Sequence, residues 1–220
     1  LVVAGRMKFE DALRLVALRG RAMQDAADES DGGMAAILGA DEEVVNEIVA
    51  EGLRVSKETH KDKEMVLVAA NFNAPGQIVI SGSKEAVAAA SEFASSEKKL
   101  RAIVLDVAGA FHSPLMQPAA ERLSDALKNT EIVATKTKVM SNVTGAMHDE
   151  DDGDAVKSRL VEQLTMPVRW EQCVRSASSE TPAGSQWVEL CPGKTLFGMM
   201  RKIDRKIKVT SLDQPPQQSE

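Results

Sequence analysis

The sequence predicts an α/β fold in which a compact βαββαβ unit is set between two parts of a larger α/β region. Three observations carry this. Residues 33–107 alternate short apolar runs with amphipathic helices in the order β-α-β-β-α-β, the ferredoxin-like pattern. The flanking segments, 1–32 and 108–208, mix helices with short strands as α/β domains do. The 220 residues, 43% hydrophobic and 27% charged, suit an ordinary globular chain large enough to bury a core.

Residues 7–30, MKFEDALRLVALRGRAMQDAADES, read as an amphipathic helix. Phe9, Leu13, Val16, Gly20 and Met23 share one helical face, which predicts that this face is buried. At 100° per residue, Arg19 falls within roughly 60° of the centre of that face, while Arg14 and Arg21 fall on the far side. A buried arginine needs an anionic partner or a wet pocket. The alternative is an arginine that snorkels to solvent at the helix border.

GMAAILGA, 33–40, is a short strand, and DEEVVNEIVAEGLRV is a helix with Asp41 as N-cap. EMVLVAANF and GQIVISG are strands joined through Asn-Ala-Pro-Gly, a turn signal. SKEAVAAASEFASSEKK is a helix capped by Ser83, and RAIVLDV closes the unit as a strand. Beyond it, PLMQPAAERLSDALKNT is a helix, KVMSNV a buried strand and TGAMHDEDDGD a solvated polar loop. Residues 154–179 are helical with a break at Pro167. QWVEL is a strand, CPGK a turn and TLFGMMRKID a helix, and residues 209–220 are expected to form a disordered tail.

Several function classes are disfavoured. A net charge of −6 argues against general nucleic-acid binding, which needs a cationic surface. Tyrosine is absent, and the ferredoxin-like strands offer only Phe72 where RNA stacking wants two or three aromatics. No apolar run approaches the roughly 20 residues that cross a bilayer. Two cysteines, Cys173 and Cys191, give neither a disulfide framework nor zinc spacing, in keeping with a soluble protein of a reducing compartment. His148–Asp154 has the composition of a metal loop but not the EF-hand spacing, so no metal is expected. There is no P-loop, no G-x-G-x-x-G and no G-x-S-x-G elbow. The chain opens at Leu1 inside an apolar run, so a fragment of a longer protein is expected.

One residue stands out for chemistry. His112, in VAGAFHSPLM, follows an apolar strand and three small residues, and precedes a Ser-Pro turn into a helix. Most histidines in such places are structural. A loop from strand to helix is nevertheless where α/β proteins expose working groups.

Taken together, ALRLVALRGRAMQ, GGMAAILG, NFNAPGQIVISG, GAFHSPLMQPAAERL, VMSNVTG, LVEQLTMPVRWEQCV and VELCPGKTLFGMMRKID resemble the malonyl-CoA:acyl carrier protein transacylases and the related acyltransferase domains of fatty acid and polyketide synthases. The resemblance runs in order from the first residues to about Asp204. It implies a partial α/β-hydrolase-like acyltransferase domain with an inserted ferredoxin-like subdomain. It implies ping-pong transfer of malonyl from coenzyme A, through a seryl ester, to the thiol of acyl carrier protein, with malonyl-CoA a substrate and no cofactor. His112 matches the family's catalytic histidine. Gln163 matches the position whose backbone carbonyl orients it, and Arg19 the arginine that pairs with the malonyl carboxylate. Asn71 and Asn73 match positions lining the coenzyme A or acyl pocket. AFHS, 110–113, resembles the malonyl-selective form of its motif.

Two departures matter. The family's elbow serine has no counterpart here, so this chain alone is expected to be inactive and the nucleophile is expected upstream. Cys191 stands where the family has glycine, and strains the turn if that position needs φ > 0. The basic residues Lys194, Arg201 and Lys202 are a candidate docking patch for the acidic carrier protein, against the alternative of an ordinary solvated helix end. A monomer is expected. The rival readings are a polyketide synthase acyltransferase domain and a non-catalytic module that binds CoA or carrier protein.

Overall fold

The computed structural model describes residues 1–148, 152–190 and 192–213. Helix α1 (Phe9–Glu29) leads into strand β1 (Gly32–Leu38), helix α2 (Glu42–Thr59), the hairpin β2 (Leu67–Ala74) and β3 (Gln77–Ser83), helix α3 (Lys84–Ser96) and strand β4 (Arg101–Val104). These strands form a sheet of order β2-β3-β1-β4, all neighbours antiparallel, which is the ferredoxin-like arrangement. Alternation along β1 splits its side chains between two faces. Ala35 and Ile37 face α2 and α3 with Val45, Ile48, Ile80 and Ala90. Met34 and Ala36 face the opposite side with Ala70, Val79 and the partly buried Phe111.

The rest of the chain builds a helical layer on that second side. A short 3-10 turn at Pro114–Met116 starts helix α4 (Gln117–Lys128). Helices α5 (Gly153–Glu162) and α6 (Trp170–Glu180) follow. Strand β5 (Trp187–Glu189) pairs in parallel with β6 (Val209–Ser211), and helix α7 (Thr195–Ile203) lies between them in sequence. Phe111 packs against both the α1–α4 core and the sheet core, and so joins the two layers one residue before His112.

Asp41 caps α2 as expected, its side chain accepting from the Val44 N–H. Ser83 precedes α3 but does not cap it, because its hydroxyl accepts from the Val66 N–H. The buried face of α1 is not the expected one. Phe9, Leu13 and Val16 are 63%, 58% and 67% exposed, whereas Ala22, Ala26 and Ala27 are buried against α4 with Leu15 and Leu18 beside them. Two apolar stripes fit one period on this helix, and the alanine-rich one admits α4 to close packing.

Other expectations also change. KVMSNV is not a strand: it forms only an isolated bridge, Met140 to Met147, because Ser141 and Val139 pair within their own turn. The break around Pro167 spans the residues between α5 and α6, since Val168 docks on β2, exchanging backbone hydrogen bonds with Ala70 and Phe72. The expected tail starts too early, as Val209–Ser211 is a strand; residues 214–220 lie outside the described residues. Beside β6, the buried Glu189 carboxylate accepts from the N–H groups of Leu196 and Phe197 and from the Ser211 hydroxyl, an anionic cap on α7. His148 is buried rather than solvated, and burial together with Arg159 and Arg6 pushes its pKa down to about 4. Asp149–Asp151 and Cys191, the position of the expected turn strain, lie outside the described residues.

Helices α2 and α3 cross at Gly52, where an added Cβ would sit 2.6 Å from the Cβ of Ala90 and 3.0 Å from the Ala86 carbonyl oxygen. Gly52→Val is therefore expected to lower the unfolding free energy by about 1–3 kcal/mol, read by urea titration.

Candidate active site

The site starts from a strained residue. After β4 the chain passes Gly109, packed so closely on α1 that an added Cβ would lie 2.6 Å from the Cβ of Ala27. Ala110 and Ser113 are fully buried. The Ser113 hydroxyl donates to the Ala110 carbonyl at 2.7 Å, and the Ser81 hydroxyl of β3 donates to the Phe111 carbonyl at 2.7 Å. These bonds grip the two peptides that lead into His112, whose φ is +59°. A side chain with a Cβ rarely adopts that left-handed region, and the buried surroundings hold it there.

The strained backbone aims the imidazole at the end of α5. There Gln163 is the C-cap, and its carbonyl is among the last-turn acceptors that a helix cannot satisfy internally. His112 Nδ1 lies 2.8 Å from that carbonyl oxygen. Leu164, fully buried in the α1–α4 core, fixes Gln163 in place. Burial holds the imidazole below its ordinary pKa; the Gln163 carbonyl opposes that shift, and the Arg19 charge adds to it. Among the described residues, no hydrogen bond is formed at Nε2, the ring nitrogen left for another group.

Arg19 reaches the same point from α1. Its Nη2 donates to the Gln163 side-chain oxygen at 2.9 Å. The guanidinium is partly buried, and burial lowers its pKa, yet among the described residues no carboxylate pairs with it. A half-buried cation with one neutral partner has donors to spare for an anion. Arg19 and Gln163 also line an apolar cavity of about 250 Å³, with Leu15, Val16, Leu127 and Leu160 among its walls. A larger cavity of about 600 Å³ opens between Phe72, Arg169 and the start of α2, and His112, Arg19 and Gln163 are not part of its lining.

Arg19, His112 and Gln163 thus come together from three distant stretches of sequence. Asn71 and Asn73 do not join them by any hydrogen bond among the described residues. They sit on β2 where its register to β3 is irregular, with Asn71 bridged to Val168. Lys194, Arg201 and Lys202 are exposed on and before α7, and Lys202 donates to the Gln77 side chain at 2.9 Å. Three contributors were not foreseen: Ser81, Ser113 and the Gln163 carboxamide. Ser113 beside Pro114 carried a turn signal; Ser81 lies in an apolar strand and carried none. Among the described residues no group of three or more histidine, cysteine, aspartate or glutamate side chains is assembled to hold a metal. No helix among them is long and apolar enough to cross a membrane.

Because the Arg19 charge holds the His112 titration midpoint down, Arg19→Met is expected to raise it. Ring-nitrogen NMR over a pH series measures this; an unchanged midpoint would show that the two groups do not interact.

The comparisons with known proteins agree with one another. The acyl transferase domain family matches residues 1–203. The malonyl CoA-acyl carrier protein transacylase of Bacillus subtilis is 39% identical over 215 residues, 98% of this chain and 64% of the relative. That of Escherichia coli K12 is 37% identical over 218 residues, 98% of this chain and 65% of the relative. Among solved structures, the malonyl-CoA:acyl carrier protein transacylase of Xanthomonas oryzae superposes with a TM-score of 0.86 at 38% identity, covering 98% of this chain and 64% of that one. A type II PKS acyl-carrier protein in complex with its malonyl-transacylase matches with a TM-score of 0.82 at 34% identity, covering 98% of this chain and 65% of the other. The chain therefore spans a little under two thirds of the length of these relatives, and it belongs to the acyl transferase domain family.

Proposed function

We propose that the protein containing this chain transfers malonyl from malonyl-CoA to acyl carrier protein through a seryl ester. The observation that carries this reading is the convergence of a base with an open Nε2 and a half-buried, carboxylate-free arginine on one residue, Gln163. Among the described residues no serine hydroxyl bonds His112 Nε2, so in this reading the nucleophile lies outside these 220 residues. Serine is a weak nucleophile unless an adjacent base takes its proton. His112 Nε2 takes the proton as Oγ attacks the thioester carbonyl, and returns it to the sulfur of coenzyme A as the C–S bond breaks. In the second half the carrier thiol gives its proton to Nε2 and attacks the seryl ester, and Oγ recovers the proton on leaving.

The neutral Gln163 carbonyl favours the tautomer that this cycle needs, with Nδ1 protonated and Nε2 bare. Arg19 receives the malonyl carboxylate through paired charge-assisted hydrogen bonds. An acetyl group has nothing to place there. Asn71 and Asn73 line the approach of the coenzyme A arm along β2 in this reading. Lys194, Arg201 and Lys202 present positive charge to an acidic carrier, where local sign sets the encounter rate.

Two experiments on the complete protein test this. His112→Ala is expected to lower kcat by roughly 10²–10⁴-fold with the fold intact. In the same assay Arg19→Ala lowers kcat/KM for malonyl-CoA by roughly ten- to a hundredfold, with little change for acetyl-CoA. Equal losses for the two thioesters would contradict the clamp. For the docking patch, Arg201→Glu combined with Lys202→Glu is expected to raise the KM for carrier protein at low salt and to leave the KM for malonyl-CoA unchanged.

A further inference from the structure

Gln163 meets the Nδ1 of His112 twice. Its backbone carbonyl oxygen lies 2.8 Å away, and its side-chain amide nitrogen 2.9 Å away. The first is an acceptor and the second a donor. One ring nitrogen cannot satisfy both. Protonated, Nδ1 donates to the carbonyl and turns its own proton against the amide N–H bonds. Bare, it accepts from the amide and sets its lone pair against that of the carbonyl. The two choices are the two neutral tautomers. Only the first leaves Nε2 bare and able to take a proton.

The carboxamide does not choose its own orientation. Arg19 donates to its oxygen at 2.9 Å, and a guanidinium has no acceptor to offer. Turned over, the amide would set its N–H bonds against the guanidinium. Arg19 therefore keeps the donor end of Gln163 on Nδ1, where it favours the idle tautomer. We propose that Gln163 is a positioning residue that makes the tautomer of His112 depend on whether a substrate carboxylate occupies Arg19.

This rests on the reading that Arg19 receives the malonyl carboxylate. A carboxylate competes for the Arg19 N–H groups with charge-assisted hydrogen bonds stronger than that of a neutral amide. The Gln163 oxygen then loses its donor, and the amide swings away or turns its oxygen toward Nδ1. In either position only acceptors remain at Nδ1, which keeps its proton and leaves Nε2 bare. A thioester without a carboxylate leaves Arg19 on Gln163 and the base partly idle. Neutralising Arg19 also relieves its depressing effect on His112, which acts in the same direction. Discrimination thus enters the proton-transfer step as well as binding.

The test is nitrogen NMR of the protein labelled at histidine and arginine, at a pH well above the His112 midpoint, with monomethyl malonate as probe and methyl acetate as control. Monomethyl malonate is expected to move Nδ1 toward the shift of a protonated ring nitrogen and Nε2 toward that of a bare one. Methyl acetate is expected to move neither. In Gln163→Leu, which keeps the backbone carbonyl, Nδ1 is expected to be protonated without ligand and to stay so on addition. Arg19 side-chain resonances that shift with monomethyl malonate while the wild-type His112 ring stays unmoved would overturn the coupling and leave the clamp standing. Unmoved Arg19 resonances would overturn the clamp, and the coupling with it. The wild-type titration alone decides between these, whatever the stability of the Gln163 variant.

Discussion

The hydrogen bond between His112 Nδ1 and the Gln163 carbonyl is the contact on which the site depends. It joins a loop leaving the four-stranded sheet to the end of a helix in the other layer. Each partner explains the other. The carbonyl is one that α5 cannot satisfy, and Nδ1, when protonated, is a donor in a place where burial makes an unpaired one costly. A neutral acceptor also differs from the carboxylate of a Ser-His-Asp triad. It orients the ring without placing a second full charge beside it, and the negative end of the helix dipole still favours an imidazolium when one forms.

Holding that bond requires backbone strain. His112 sits at positive φ, and the cost is carried by the buried Ala110 and Ser113, by the hydroxyl bonds of Ser81 and Ser113, and by Phe111 wedged between two cores. The His112 loop is therefore not an appendage of the sheet. It is the seam between the ferredoxin-like unit and the helical layer, so repacking either layer at Phe111 is transmitted to the imidazole.

Arg19 imposes an opposing demand. A cation close to a base makes the base weaker, yet a cation is what selects a carboxylate substrate. In the proposed reading Gln163 reconciles the two, since it stands between them and touches both. Electrostatics and hydrogen-bond direction then agree: with Arg19 unpaired the base is held back, and with Arg19 paired to an anion it is released.

Much of this was legible in the residues. The βαββαβ order is a matter of short-range period and turn chemistry, which the β2–β3 hairpin at Asn73-Ala74-Pro75-Gly76 and the Asp41 cap display locally. The residue types of the site were legible too, through resemblance: a histidine before Ser-Pro, a buried-edge arginine, a glutamine four residues before Pro167. What the sequence could not set was which of two apolar stripes on α1 faces inward, since both obey the same period and the choice belongs to α4. Nor could it set the Gln163 side chain. Its backbone role is what the resemblance implies, but its carboxamide finds Arg19 and Nδ1 only because α1, α5 and the His112 loop, distant in sequence, converge on one point. A side chain with both a donor and an acceptor takes its direction from its neighbours, and those neighbours exist only in the folded chain.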